Sequence, residues 1–204
     1  MGYISLKGYY GTCSFAKQSI DKRGLDPEAT DPRNDHWLGK GVYFFEDIVQ
    51  AKWWATITSN KNYGSFPVVY GASIVADSGQ VLNLDNNDEQ VLFRQFIQEN
   101  LEAVDKLCKE ANRGYPVFDK RQFKGIFYDY YKRMFGIKVV IYTFAKDFAG
   151  YLQNYPNNKA ERQIQRDLSR VLGISFNEKQ ICVSDQDCIK DCKVIEDVEE
   201  AEII

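Results

Sequence analysis

The stretch that decides the fold covers residues 36–55 and reads HWLGKGVYFFEDIVQAKWWA. Gly39 and Gly41 come directly before the apolar run 42–45, and this order predicts a short β-strand entered through a tight backbone bend. Asp47 then stands where a helix N-cap is expected, at the start of an alanine- and tryptophan-rich segment with helical spacing. The stretch therefore predicts a bend, a strand and a capped helix in succession.

Outward from this stretch, strands and helices are mixed without a regular βαβ rhythm. Strands are expected at 3–10, 68–75, 81–84, 137–144, 180–183 and 189–194. Helices are expected at 14–22, 88–110, 119–134 and 160–172. This mixture predicts an α+β fold with a mainly antiparallel sheet, in a single domain spanning 1–204 with an acidic, frayed tail at 196–204.

Composition narrows the class of protein. The chain has 204 residues and a net charge of −3, so strong non-specific nucleic-acid binding over its whole surface is not expected. No apolar run approaches the roughly 20 residues of a membrane helix, and the N-terminus lacks a signal-peptide layout, which points to the cytoplasm. With five cysteines, one histidine and no CxxC pair, reduced and mostly buried thiols are expected rather than a metal site.

Three short segments, far apart in the chain, are candidates for a common site. They are Tyr9 to Thr12 at a strand end, Gly39 to Phe44, and Glu178 to Val183. Taken singly, the first can be an ordinary turn and the second an ordinary bend. No GxGxxG opens a helix and no GxxxxGK[ST] occurs, so Rossmann and P-loop sites have no support.

Taken in this order, the segments resemble the diphtheria-toxin-like and poly-ADP-ribose-polymerase-like ADP-ribosyltransferases. The likeness is nearest to small bacterial members that begin Tyr-His-Gly-Thr, continue through Trp-Leu-Gly-X-Gly-hydrophobic-Tyr-Phe and enter an Ala-X-X-Trp-Ala helix. This chain reads Tyr9 to Thr12, Trp37 to Phe45 and Ala51 to Ala55 at these places. The resemblance is dense over 3–55, returns over 178–195, and implies an ADP-ribosyltransferase-like split antiparallel β-sheet core with flanking helices.

The resemblance also implies that NAD⁺ is bound in a cleft, as a substrate. By this likeness the backbone of Gly11 holds the nicotinamide carboxamide, and Tyr43 stacks on the nicotinamide ring. Tyr10 replaces the family's histidine; its phenol can donate to a ribose hydroxyl, or it can be a core aromatic. The remaining candidates for NAD⁺ binding are Thr12, Gly39, Gly41, Lys40 for the pyrophosphate, and His36 for the donor cleft or a phosphate.

The third segment carries the expected chemistry. The family supplies a glutamate to the nicotinamide ribose, and the matching position here is Gln180, with Glu178 two residues earlier and on the same side of the strand. Gln180 can fix the ribose by hydrogen bonds without supplying charge. Glu178 can stabilise the positive charge that develops on the ribose, activate the acceptor, or be a solvated surface charge.

A basic stripe predicts one class of acceptor. Lys120, Lys124, Tyr128 and Lys132 recur every four residues along the helix expected at 119–134, with Arg121 and Arg133 beside them. Basic residues interleaved with an aromatic suit single-stranded RNA, although a plain solvated helix face carries the same pattern. The acidic tail is a candidate for docking an antitoxin or a chaperone.

The function expected from the resemblance is mono-ADP-ribosylation of a macromolecule, with RNA slightly preferred over protein, by a bacterial toxin or defence effector. Two alternatives remain open. Tyr10 and Gln180, which replace the family's usual residues, are compatible with an inactive NAD⁺-binding or interaction module. Transfer to water would instead make the protein an NAD⁺ glycohydrolase.

Overall fold

The computed structural model of the chain describes residues 2–30, 36–103, 106, 120–146, 167, 171 and 176–197. These residues form seven strands: β1 (Tyr3–Cys13), β2 (Val42–Phe45), β3 (Pro67–Asp77), β4 (Val81–Asn83), β5 (Val139–Lys146), β6 (Phe176–Val183) and β7 (Ile189–Asp197). The helices whose bounds are described are α1 (Ser14–Arg23), α2 (Ile48–Asn60), α3 (Asn87–Glu99) and α4 (Lys120–Phe135), and residues 101–103, 106, 167 and 171 are also helical. The helix expected at 160–172 falls almost wholly outside the described residues.

The strands form one seven-stranded sheet in the order β4-β5-β6-β2-β1-β3-β7. Every neighbouring pair is antiparallel except β4 with β5, so the expected α+β fold with a mainly antiparallel sheet is confirmed. The halves β4-β5-β6-β2 and β1-β3-β7 are joined by a single residue pair, Tyr9 with Phe45. Beyond that pair β1 and β2 do not continue their ladder, which leaves room for an opening between the two halves.

The two faces of the sheet bury separate clusters. One contains Phe44, Ile74, Ile181 and Val183, and the other packs Leu38, Phe93, Phe127, Val140 and Cys182 beneath α3 and α4. A fully buried aliphatic or phenyl side chain stabilises the fold by about 1.5–3 kcal/mol relative to exposure. These two layers hold the facing ends of β1, β2 and β6 in place.

Several boundaries differ from the sequence expectation for physical reasons. β1 does not stop at Gly11-Thr12, because Gly11 pairs with Val69 and Thr12 with Val68 on β3. α1 begins at Ser14 as expected, and the Ser14 hydroxyl accepts from the backbone N–H of Phe66 at 3.2 Å. Asp47 does cap α2, accepting from the N–H of Val49 at 2.8 Å.

The acidic tail also begins later than expected. Glu196 and Asp197 belong to β7, where they pair with Val69 and Val68 of β3. Residues 198–204 lie outside the described part of the chain. No helix in the described ranges is long and apolar enough to cross a membrane.

Candidate functional site

A cleft of about 360 Å³ opens between the two halves of the sheet. Its lining comes from the ends of β1 and β2, the segment before β2, helix α2 and strand β6. The predicted site residues found in this lining are Tyr10, Gly11, Thr12, His36, Gly41, Tyr43, Glu178 and Gln180. The three distant segments therefore meet at one cavity; Gly39 and Lys40 lie outside its lining.

The β1 wall combines two requirements. The ring of Tyr10 tilts against Phe44 at 6.2 Å, so this tyrosine both lines the cleft and packs on the core. Gly11 is required by packing: a Cβ there would press into the backbone carbonyl oxygen of Ala51 and lie 2.9 Å from the N atom of Ala55. Helix α2 thus lies directly on β1 at this glycine.

The segment from 36 to 43 presents aromatic rings to the cleft. His36 stacks on Tyr43 with ring centroids 4.9 Å apart and planes 16° apart. The Tyr43 hydroxyl donates to the carbonyl of Gly39 at 2.6 Å and accepts from the N–H of Leu38 at 2.8 Å. Burial raises the pKa of Tyr43 far above its ordinary value, with Cys182 nearby as a second cause, so this hydroxyl remains protonated at neutral pH.

Gly39 and Lys40 contact the protein itself. The backbone N–H of Lys40 donates to Asp129 Oδ1 at 2.7 Å, and its side chain forms an ion pair with Glu28. A Cβ at Gly39, whose φ is +84°, would overlap Asp129 Oδ1. The sequence analysis names Gly39 as a candidate for NAD⁺ binding, whereas in the structure the groups closest to Gly39 belong to helix α4.

The β6 wall supplies a carboxylate and an amide. Glu178 is 3% exposed, and its Oε1 accepts from Gln180 Nε2. The other amide atom, Gln180 Oε1, is buried and has no hydrogen-bond partner among the described residues. A buried acceptor in this state costs free energy unless another molecule donates to it. The wall is therefore suited to receive a hydroxyl or an N–H of a ligand.

Tryptophans are the site residues that sequence reasoning missed. All three tryptophans of the chain, Trp37, Trp53 and Trp54, line the cleft. Trp37 meets Phe144 edge to face at 5.0 Å, and Trp53 remains 39% exposed. The adjacent Trp53-Trp54 pair could have indicated a binding site. Neighbouring helix positions point in different directions, so both indoles cannot be buried on one face of the helix.

The predicted basic stripe on α4 is wrong at two of its four positions. Tyr128 stacks on Phe93 at 4.8 Å, and its burial raises its pKa. Lys132 is only 7% exposed and points into the protein. Met134, two residues beyond Lys132, is 58% exposed. The side chains of Lys120 and Lys124 lie outside the described part.

The described cysteines are free thiols. Cys13, Cys182 and Cys188 are buried, and Cys192 is half-buried. Burial is the main cause that raises the pKa of Cys182, against the opposing effect of Lys132. Among the described residues no group of three or more His, Cys, Asp or Glu side chains is placed to hold a metal ion.

Comparison with known proteins gives one distant relative. The chain is similar to an uncharacterized protein of Methanocaldococcus jannaschii, at 23% identity in an alignment that covers 93% of this chain and 87% of that protein. No protein-family model and no solved structure matches the chain. The similarity thus spans nearly the whole length of both chains and assigns no activity.

Proposed function

We propose that the protein is an NAD⁺-dependent ADP-ribosyltransferase with an ADP-ribosyltransferase-like fold. The observation that carries the proposal is the meeting of Tyr10–Thr12, Gly41–Tyr43 and Glu178–Gln180 at one cleft between two sheet halves. These are the segments on which the chain resembles that superfamily. A crevice bounded by aromatic rings, a buried carboxylate and a buried amide acceptor suits a nucleotide with a flat ring and ribose hydroxyls.

Different walls of the cleft would bind different parts of NAD⁺. His36 covers one face of the Tyr43 ring, which leaves the opposite face for the nicotinamide, and Trp54 is a second aromatic group of the same cavity. Gln180 Oε1, which lacks a protein donor among the described residues, accepts from a ribose hydroxyl. Tyr10 brings a phenol to the β1 wall, where it donates to the second ribose.

The reaction breaks the bond between the nicotinamide nitrogen and C1′ of the ribose. The electron pair of that bond goes to the nitrogen, which neutralises the pyridinium, and positive charge develops on the ribose. The carboxylate of Glu178 favours that charge more than it favours the ground state, which is the condition for catalysis. The acceptor then forms a bond to C1′ and releases its proton.

Gln180 favours a second candidate, an inactive NAD⁺-binding module. The family's glutamate is replaced there by a neutral amide that donates to Glu178. If Glu178 cannot take over the electrostatic role, NAD⁺ binds but is not cleaved. The two candidates differ in turnover and not in binding.

The acceptor is proposed to be a macromolecule, RNA or protein, and the setting a toxin or defence system that pairs with an antitoxin or a chaperone. With Tyr128 and Lys132 turned inward, the basic stripe no longer favours RNA over protein. Both fractions of a lysate therefore have to be analysed separately.

The test uses NAD⁺ labelled in its adenylate half, incubated with the protein and a lysate. We expect labelled macromolecule and one equivalent of free nicotinamide per transfer. Glu178→Gln should lower the rate about 100- to 1000-fold, the loss typical of removing one transition-state electrostatic contact. Glu46→Gln, on an exposed carboxylate beside β6, is the matched control and should retain the wild-type rate.

Each outcome decides between the candidates. NAD⁺ binding with no nicotinamide release supports the inactive module, and Tyr10→His with Gln180→Glu should then create turnover. Free ADP-ribose formed at a rate independent of lysate indicates a glycohydrolase. Absence of NAD⁺ binding in calorimetry would exclude the transferase, the glycohydrolase and the NAD⁺-binding module, and would leave an interaction module that binds no NAD⁺.

A further inference from the structure

Lys132 is a buried cation behind the cleft. Its ammonium lies 2.9 Å from the carbonyl oxygen of Lys40, 3.4 Å from Asp129 Oδ1 and 3.5 Å from Cys182 Sγ. Burying an ammonium costs several kcal/mol unless such partners compensate it, so the position of Lys132 depends on these three groups. The partners it reaches all belong to, or contact, the turn Gly39–Gly41.

Asp129 and Lys132, one helical turn apart on α4, hold one residue of that turn from both ends. Asp129 accepts from the N–H of Lys40 at 2.7 Å, and Lys132 donates to the carbonyl oxygen of the same residue. We call this pair the α4 clamp. Both of these hydrogen bonds are to main-chain groups of Lys40, and therefore the α4 clamp fixes the path of the backbone and not the Lys40 side chain.

The turn has no room to take another path. Gly125 of α4 lies so close that a Cβ there would be 3.2 Å from the carbonyl oxygen of His36. On the other side, a Cβ at Gly41 would lie 2.6 Å from the carbonyl oxygen of Val183 and 2.7 Å from Cys182 Sγ. The glycines let α4 and β6 enclose the turn, and the α4 clamp supplies the directional bonds.

The enclosed turn carries the anchor of Tyr43. The Tyr43 hydroxyl donates to the Gly39 carbonyl, so a shift of the turn moves the point to which the ring is tied. The ring itself lines the cleft and stacks on His36. A chain of contacts thus runs from the α4 clamp through the turn to the stacking surface.

We propose that Asp129 and Lys132 are positioning residues of the cleft, which fix the Gly39–Gly41 turn and thereby orient the Tyr43 ring for a stacked ligand. Neither residue lines the cleft, and their action is through the turn. The identity of the ligand rests on the proposed function, whereas the orientation of Tyr43 does not.

The single histidine supplies a probe that needs no ligand. His36 lies on the face of the Tyr43 ring, so the ring current of the tyrosine shifts the imidazole C2–H proton resonance upfield, and this resonance is unique in the spectrum. Lys132→Met and Asp129→Ala should each reduce the upfield shift. Asp129→Asn, which keeps an oxygen for the N–H of Lys40, should restore it.

The matched control is Arg133→Met. Arg133 is the next residue of α4, is exposed, and carries the same charge, so its loss should leave the histidine resonance unchanged. The full-length variants are compared at one pH and well below their unfolding temperatures. If Lys132→Met does not fold, the Asp129→Ala and Asp129→Asn pair decides. A wild-type resonance in folded Lys132→Met and Asp129→Ala would overturn the proposal.

NAD⁺ affinity is measured in the same variants by fluorescence, because all three tryptophans line the cleft. We expect about tenfold weaker binding in Lys132→Met, because the Tyr43 ring then has to be ordered when the ligand binds, and no change in Arg133→Met. Unchanged affinity in a variant whose histidine resonance has moved would overturn the positioning role. No binding by the wild type would reject NAD⁺ as the ligand, while the histidine resonance would still decide the role of the α4 clamp.

Discussion

The two sides of the Gly39–Gly41 turn differ in how their polar groups are satisfied. On the α4 side, both main-chain groups of Lys40 are bonded, one to Asp129 and one to Lys132. On the cleft side, Gln180 Oε1 is buried without a hydrogen-bond partner among the described residues. Removing Asp129 or Lys132 on the α4 side therefore lowers the free energy of unfolding, because it leaves a main-chain group of Lys40 without its partner. On the cleft side, Gln180 Oε1 is an acceptor to which a ligand can donate.

The groups that set the backbone path are therefore different from the groups that can bind a ligand. The groups that set the backbone path are buried and paired, because an unpaired polar group there would cost about 1–3 kcal/mol. The groups with capacity for a ligand, the faces of Tyr43 and Trp54 and the amide of Gln180, stand on the opposite side. Substitutions on the α4 side should therefore lower stability first, and substitutions in the cleft should lower activity first.

The largest effect should come from Gly39→Ala. The new methyl group would overlap Asp129 Oδ1 and lie 3.0 Å from Lys132 Nζ, at a φ of +84° that alanine rarely adopts. We expect the free energy of unfolding, measured in urea, to fall by about 2–4 kcal/mol from overpacking and backbone strain together.

Gly64→Ala is the matched control for this change. Gly64 has a similar φ of +79°, but nothing lies within 4 Å of its added Cβ, so only the backbone strain is felt. Its loss should be about 1 kcal/mol. Equal losses at the two glycines would contradict the tight packing of α4 on the turn.

An intermediate effect is expected for Tyr43→Phe. Removing the hydroxyl leaves the N–H of Leu38 and the carbonyl of Gly39 without their partner, at a cost of about 1–3 kcal/mol in unfolding experiments at neutral pH. The phenyl ring remains in the cleft but loses its tie to the Gly39 carbonyl, so ligand affinity should fall by about tenfold, as in Lys132→Met. Tyr63→Phe, at a fully exposed tyrosine, should alter neither quantity.

The pH dependence of stability in wild type and Tyr43→Phe tests the same hydroxyl. Burial holds the pKa of folded Tyr43 above the ordinary value of 10.0, so the unfolded chain releases this proton first as the pH rises. The stability that the hydroxyl contributes is thus complete below a pH of about 10 and decreases above it. The difference in unfolding free energy between wild type and Tyr43→Phe should shrink in that range; a constant or growing difference would count against a buried hydroxyl.

The smallest effect belongs to the ion pair between Lys40 and Glu28, whose side chains are 41% and 79% exposed. Glu28→Gln should change the free energy of unfolding by less than about 1 kcal/mol, because exposed pairs are screened by water and salt. It also frees the Lys40 ammonium for a phosphate, so NAD⁺ should bind more tightly, by less than about fivefold. Glu46→Gln, which removes the same charge from another exposed carboxylate, is the control for net charge. Weaker binding in Glu28→Gln would argue against the predicted pyrophosphate contact of Lys40.

Local patterns predicted the elements that depend on neighbouring residues. Asp47 caps α2 because its carboxylate reaches an N–H two residues ahead, and α1 ends at Arg23, directly before Gly24 with its φ of +76°. The strand over 137–144 was recognised from its continuous apolar run and observed as β5, two residues later. Each of these features rests on contacts within a few positions along the chain.

The face of α4 could not be predicted in the same way. Helical spacing groups Tyr128 with Lys132, but it does not say whether their shared face is inward or outward. Lys132 is stabilised inside by a carbonyl oxygen 92 positions away in the chain. No pattern within the helix carries that information, and the charge of lysine by itself favours the surface.

The sequence by itself determined the α+β class, most strands and helices, and the three segments that now line one cleft, because periodicity and capping are local properties. Only the tertiary structure decided that Gly39 and Lys40 face α4, that Lys132 is buried, and that every tryptophan borders the cavity. The physical reason is that burial and hydrogen-bond pairing depend on groups that distant parts of the chain bring together. The local sequence pattern does not show which groups these are.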